Sequence, residues 1–129
     1  MSATVSRPEP LTFGPVRVYP GHKSGMFPDG NQVIVQGADT RVAFDTPLVA
    51  RHIGADLDDV ELVILGHVHE DHITALGRLS HAAVQVHEAD LAAAQSWEGL
   101  GRHYGYPPAA LEAVRVKIER EFSYAPRPD

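Results

Sequence analysis

Residues 61–72 read ELVILGHVHEDH, and this stretch decides the fold more than any other part of the chain. Its first half, ELVILG, is an apolar run of the length of a strand, which predicts a strand covered on both faces. The run leads directly into HVHEDH at residues 67–72, which contains three of the eight histidines of the 129-residue chain. Open α/β sheets place their ligand sites in the irregular residues just past the carboxyl ends of strands. We therefore expect a functional site at the end of this strand.

The residue types of HVHEDH are those of a metal site. In an extended backbone the side chains alternate sides, so His67 and His69 project together. Where the chain turns into the next element, Asp71 can swing toward the same space. Three imidazoles and a carboxylate, without thiolates, suit zinc, although iron and manganese accept the same donors. The predicted ligands are His67, His69, Asp71 and His72. The alternative interpretation is a polar loop whose histidines face solvent or are buried and hydrogen-bonded.

Strands and helices alternate along the chain, which predicts the α/β class. Strands are predicted at 11–19 (interrupted near Gly14-Pro15), 31–37, 41–45, 61–66 and 83–87. Helices are predicted at 48–53, 73–79 and 89–104, and after Pro107-Pro108. Thr46 is the expected N-cap of the first helix and Gly54 its expected end. The stretch 20–30 is rich in glycine and proline and predicts a loop.

Composition limits the class of protein and its partners. Apolar residues make up 43% and charged residues 22% of the chain, as in a globular domain. We expect residues 1–10 to form a flexible arm and residues 11–129 to form one domain. A net charge of −6 argues against nucleic-acid binding, and the lack of cysteines excludes disulfides. No apolar run reaches membrane-spanning length and no secretory signal is evident, so the expected location is the cytoplasm, with no membrane partner.

The HxHxDH pattern at 67–72, following the ELVILG strand, resembles the signature of the metallo-β-lactamase fold superfamily. The stretch VAFDT at 42–46 is similar to the family's strand that ends in Asp before the first helix. NQVIVQG at 31–37 resembles the preceding strand, and VHEAD at 86–90 the strand-to-helix passage after the signature. The resemblance implies an αββα sandwich of two similar halves. Residues 11–129 would supply the N-terminal βα half, a mixed sheet with helices on one face.

The resemblance also implies roles for the site residues. His67 and His69 would bind the first metal ion, and Asp71 and His72 the second, with zinc as the expected metal. Asp45 would support the site from below through hydrogen bonds, without binding metal. Asp71 would also orient a metal-activated hydroxide and is the expected catalytic residue. The implied reaction is hydrolysis of an ester, thioester, lactone, amide or phosphodiester in a small-molecule substrate.

The ligand set within this chain is incomplete, because the family's second half normally supplies further ligands. The remaining downstream histidines are poor candidates: His81 lies too close to the signature, His87 ends a strand, and His103 lies on a predicted helix where a solvated side chain is expected. We expect a complementary C-terminal half, or a second copy of the chain, to complete the site. It would cover an apolar sheet face that exposes Val33, Val35, Val42, Phe44, Leu62 and Ile64.

Two other functions are compatible with the sequence. The first is a non-catalytic metal-binding or interaction module that has the HxHxDH pattern without a full ligand set. The second is a nuclease relative that cleaves phosphodiesters, which the acidic balance of the chain disfavours.

Overall fold

The computed structural model describes residues 8–128, apart from the side chain of Lys23. Residues 1–7 of the predicted arm lie outside the described residues, and residues 8–10 have no regular secondary structure.

A single mixed sheet of six strands, in the order of the sequence, forms the centre of the fold. The strands are β1 (Leu11–Phe13), β2 (Val16–Tyr19), β3 (Gln32–Gln36), β4 (Arg41–Phe44), β5 (Leu62–Leu65) and β6 (Ala83–Val86). Neighbours from β1 to β4 are antiparallel, whereas β4, β5 and β6 run parallel. The predicted interruption at Gly14-Pro15 is the turn between β1 and β2. The parallel strands place their carboxyl ends, and therefore the residues after β4 and β5, at one edge of the sheet.

Three α-helices follow the last strand: α1 (Leu91–Gln95), α2 (Trp97–Tyr104) and α3 (Pro108–Phe122). The predicted helix 89–104 is broken at Ser96, whose backbone is extended and whose hydroxyl accepts a hydrogen bond from the Gly99 N–H at 3.0 Å. Serine thus caps α2 and separates it from α1. The prediction of a helix after Pro107 is confirmed. Within residues 8–128, none of the helices combines the length and hydropathy that crossing a membrane requires.

The predicted helix at 48–53 is a 3-10 helix, Leu48–His52, and its predicted cap is wrong. The Thr46 hydroxyl donates to the His72 carbonyl at 3.3 Å, and Pro47 occupies the N-cap position without a side-chain cap. The Asp29 carboxylate, 20 residues upstream, accepts from the Val49 N–H at 2.9 Å. The residue that satisfies this helix start comes from a distant loop, so a local pattern could not identify it.

One face of the sheet carries the hydrophobic core. Ile34 on β3, Ala43 on β4 and Val63 on β5 are adjacent in the register and fully buried. The 3-10 helices and the α-helices pack on this face through Ile53, Leu57, Leu76, Leu79, Ala94 and Leu100. The mixed sheet with helices on one face is therefore the predicted architecture.

The opposite face of the sheet is apolar and partly exposed, and we call it the open sheet face. Its pairs across β3, β4 and β5 are Val33 with Phe44, Val35 with Val42, Val42 with Leu62, and Phe44 with Ile64. These six side chains are the ones predicted for such a face. Phe44 is 38% exposed, and Phe13, at the β1 end of the same face, is 63% exposed. The prediction that β5 is covered on both faces is wrong for the described residues, because burial alternates along the strand.

Tyr124 gives a prediction on stability at high pH. Its hydroxyl is buried without a hydrogen-bond partner in the described part of the chain, and burial raises the pKa of Tyr124 to about 12. The unfolded chain loses this proton near pH 10 and the folded chain retains it, so the free energy of unfolding falls as pH rises through about 10 to 12. We expect Tyr124→Phe to remove the part of this pH-dependent fall in the free energy of unfolding that Tyr124 causes. The free energy of unfolding at neutral pH should not decrease. Urea unfolding of the wild-type chain and of Tyr124→Phe at neutral pH and at about pH 11 tests this expectation. An equal decrease in the free energy of unfolding of the two proteins between these pH values would contradict it.

Candidate metal centre

The HVHEDH stretch follows β5 after one residue, Gly66, and ends in a 3-10 turn, Glu70–His72. Val68 is fully buried in the core, while His67 and His69 on either side of it are half-buried and point the other way. Their ring centroids are 3.9 Å apart, and the His72 ring lies 5.1 Å from that of His67. Burial of the valine thus fixes the alternation, and the structure brings the three imidazoles of the motif together.

Asp45, the residue after β4, links the ends of two strands beneath this cluster. One carboxylate oxygen accepts from the Gly66 N–H at 2.8 Å, and the other lies 3.0 Å from His72 Nδ1. Asp45 has a left-handed backbone (φ 59°), a conformation that aspartate tolerates better than most residues. The hydrogen bond to Asp45 raises the pKa of His72. With Nδ1 engaged in this way, Nε2 is the nitrogen of His72 that can bind a metal.

Asp71 and His69 complete the set of predicted ligands. Asp71 Oδ2 lies 3.6 Å from His72 Nε2, so the carboxylate borders the cluster. Burial lowers the pKa of His69, and the nearby His67 lowers it further. A lowered pKa keeps the His69 imidazole neutral near pH 7, which is the form that binds metals.

Tyr104, at the end of α2, ties that helix to the motif. The Tyr104 hydroxyl donates to the Glu70 carboxylate and accepts from the Glu70 N–H at 3.1 Å. Its ring lies 5.0 Å from the His69 ring, at a tilt of 30°. Burial, with the hydrogen bond to Glu70, raises the pKa of Tyr104 well above its usual range. Tyr104 therefore stays neutral and holds α2 against the imidazole cluster.

The downstream histidines have different surroundings. His81 is exposed, and His87 Nδ1 accepts from the Ala89 N–H at 3.0 Å. His103, expected to face solvent, lies against the cluster: its ring is 5.3 Å from that of His69 and 6.3 Å from that of His67. Its side chain is 26% exposed and the residue as a whole is exposed, so His103 lies at the solvent-facing border of the cluster.

Sequence reasoning missed Gln32 as a support of the site. Gln32 is fully buried at the start of β3, and its side-chain amide donates to the Asp45 carbonyl at 3.0 Å and the Phe44 carbonyl at 3.3 Å. These bonds hold the backbone on which the Asp45 carboxylate sits. An amide at an inward-facing strand position is a signal, because buried polar side chains require partners.

The residue types at this site suit a metal ion, but the side chains are not arranged as a complete set of ligands. Imidazole and carboxylate are zinc donors, and two imidazoles on one tetrahedral zinc have ring centres about 5 Å apart. The His67–His72 pair meets this separation, whereas the 3.9 Å between His67 and His69 is too short. Among residues 8–128, no three donor side chains are grouped closely enough to hold an ion. The assignment of His67, His69, Asp71 and His72 as ligands stays a prediction.

Solved structures with a similar fold are metallo-β-lactamases and a related hydrolase. Metallo-β-lactamase SMB-1 bound to 2-mercaptoethanesulfonate has 22% identity and a TM-score of 0.53, with the match covering 70% of this chain and 38% of that chain. SMB-1 in a complex with mercaptoacetic acid has 22% identity and a TM-score of 0.50, and the match covers 70% of this chain and 39% of that chain. Hydrolase AbOPH of the β-lactamase superfamily has 14% identity and a TM-score of 0.50, and the match covers 91% of this chain and 56% of that chain.

These matches define the fold and its extent. No protein-family model matches the sequence, and no curated protein matches it significantly. At 14–22% identity the likeness to solved structures shows the fold alone. The chain has the metallo-β-lactamase fold, as the resemblance implied, and spans 38% to 56% of the length of these structures. Compared with these structures, the chain therefore corresponds to part of a domain.

Proposed function

We propose that this chain, which folds as part of a metallo-β-lactamase domain, is the histidine-bearing half of a metal-dependent hydrolase. The proposed substrates are small molecules with an ester, thioester, lactone or amide bond. The observation that carries the proposal is the convergence of the His67, His69 and His72 rings at the carboxyl end of β5. This is the edge at which open α/β sheets bind ligands.

The proposed metal is zinc, and two ions would fill the complete site. His67 and His69 would hold one, for which their rings would have to move apart from the present 3.9 Å, and Asp71 and His72 the other; iron and manganese accept the same donors. Bound zinc supplies a hydroxide near neutral pH and polarises the bond to be hydrolysed. His69 contributes a neutral imidazole because its pKa is lowered. Asp45 fixes the orientation of His72, and Asp71 would accept a hydrogen bond from the nucleophile.

A complementary half would complete both the site and the core. The open sheet face presents apolar side chains from β1 to β5, and the chain spans at most 56% of the length of the similar structures. A second layer of sheet on this face would bury these side chains and bring further ligands to the end of β5. We propose a C-terminal half as the partner, with a second copy of the chain as the alternative.

A non-catalytic metal-binding module is the second candidate function. Its support is that the described part of the chain shows no complete ligand set for a catalytic site, because no three donors there are grouped to hold an ion. A nuclease is less well supported, since a net charge of −6 opposes binding to a phosphate backbone.

Metal analysis combined with a substrate panel tests the proposal. The chain is purified under native conditions together with any polypeptide that stays bound to it, its metal content is measured, and hydrolysis of activated esters, thioesters and lactones is followed before and after removal of metal by a chelator. We expect bound zinc, and hydrolysis that the chelator abolishes and added zinc restores. Hydrolysis that is insensitive to the chelator would overturn the proposal, and zinc binding without hydrolysis would favour the second candidate.

A further inference from the structure

We propose that the cleft between α3 and the loop of residues 20–30 binds an uncharged aromatic group of a small molecule. In the proposed hydrolase this group is the acyl group of the substrate, and that identification rests on the proposed function. The inference narrows the substrate class to compounds whose ester, thioester or amide bond carries an apolar aromatic acyl group.

The first argument is the size and lining of the cleft. Its volume is about 350 Å³, within the range of small-molecule sites. An apolar cavity of about 150 Å³ is enough to bind benzene, so the cleft has room for a ring and its attached atoms. Phe27 is 67% exposed and Tyr106 is 46% exposed at its borders. Most of the lining is aromatic or aliphatic and comes from Phe27, Tyr104, Tyr106, Val114, Ile118 and Phe122.

The second argument is the contact between the cleft and the histidine cluster. Tyr104 borders both, because its ring lies 5.0 Å from the His69 ring and 5.6 Å from the Tyr106 ring. Glu70 of the motif also lines the cleft. Aromatic rings attract each other in offset or edge-to-face arrangements, so Tyr104 and Tyr106 can hold a ring of the ligand. Atoms attached to that ring then lie beside the end of β5.

The third argument is the balance of charge around the cleft. Lys117 and Glu121, four residues apart on α3, line it with opposite charges. The Glu70 carboxylate accepts a hydrogen bond from the Tyr104 hydroxyl. The lining therefore offers no excess of positive charge to an anion, and a charged group would lose its hydration without a matching partner. An uncharged group suits this lining best.

Both walls of the cleft are already held in place within this chain. On the loop side, the Asp29 carboxylate accepts from the N–H groups of His22 and Val49, each at 2.9 Å, and so holds the residue that follows Phe27-Pro28. On the helix side, Ile118 is buried in the core on the helix-covered face of the sheet. A partner on the open sheet face therefore need not displace either wall, and a preformed cleft lowers the cost of binding.

Titration of the isotope-labelled chain with 2-phenylacetamide, followed by NMR, tests the inference. We expect millimolar affinity with shifts at Tyr104, Tyr106 and Val114, whereas acetamide, which lacks the ring, should cause none. Val114→Phe should weaken binding by about tenfold or more, because the larger side chain occupies the space of the ligand ring. Val116→Phe is the matched control, since Val116 lies on the same helix, is 51% exposed and does not line the cleft. Valine and phenylalanine have similar helix propensities, so both variants should keep α3.

Phe27→Ala is a second variant that does not disturb the core, because Phe27 is largely exposed. We expect it to weaken binding of 2-phenylacetamide about fivefold, through loss of one aromatic contact. If the wild-type chain shows no shifts at the cleft, or if Val114→Phe and Phe27→Ala both bind the amide as the wild type does, the inference is overturned.

Hydrolysis of phenylacetyl and acetyl thioesters of the same thiol, measured on natively purified protein, separates the inference from the proposed function. We expect Val114→Phe to raise KM about tenfold for the phenylacetyl compound and to leave KM for the acetyl compound unchanged. Chelator-sensitive hydrolysis without binding of 2-phenylacetamide would overturn the inference and leave the proposed function standing. Binding at the cleft without chelator-sensitive hydrolysis of either thioester would support the cleft as an aromatic site and overturn the proposed function.

Discussion

His67→Ala is expected to weaken zinc binding by about 100-fold or more, equivalent to about 2.8 kcal/mol, and to reduce hydrolysis to the background rate. His67 is the first residue after β5 whose ring joins the cluster, and it contacts the rings of both His69 and His72. Loss of this imidazole removes a donor that no described neighbour is placed to replace. Zinc titration by calorimetry and the substrate panel of the hydrolysis assay measure the two effects.

Asp71→Asn separates metal binding from catalysis in the same assays. The amide keeps the size of the side chain and removes the charge, so we expect a smaller loss of zinc affinity than in His67→Ala, with an equal loss of hydrolysis. His81→Ala should behave as the wild type. Unchanged turnover in both His67→Ala and Asp71→Asn would exclude the hydrolase proposal.

Val35→Lys on the open sheet face is expected to abolish association of the chain with itself or with a complementary half. Val35 is half-buried between Val16 on β2 and Val42 on β4, at the centre of the apolar face. A charge there would be buried without a partner in any complex that covers the sheet, which costs several kcal/mol. We expect the wild-type chain to associate and the variant to remain a monomer.

Val116→Lys is the matched control for that experiment. Val116 is 51% exposed on α3, away from the sheet, so the same substitution should leave association unchanged. Analytical ultracentrifugation over a range of concentrations measures both variants. A wild-type chain that is a well-folded monomer with a cooperative melt would show that the open sheet face needs no partner.

The parts of the fold that could be predicted are those set by local patterns. The apolar run of β5 and the turn residues between β3 and β4 identify strands and a hairpin, because period and turn chemistry act over a few residues. The alternation in HVHEDH likewise predicts that His67 and His69 project together, as the structure shows.

The parts that could not be predicted depend on contacts between distant segments. Asp29 satisfies the start of the 48–52 helix from 20 residues away, and Gln32 holds the backbone of Asp45 from the neighbouring strand. His103 reaches the cluster from α2, which Ser96 separates from α1 and Tyr104 ties to Glu70. Residue spacing along the chain carries no information about such contacts.

Anomalous diffraction at the zinc absorption edge, from crystals of the chain grown with zinc, tests most directly whether the histidines at the end of β5 bind a metal. We expect an anomalous peak within about 2.0–2.1 Å of imidazole nitrogens of His67 and His69. The absence of a peak at these residues, with their side chains directed into solvent, would show that these histidines form no metal centre.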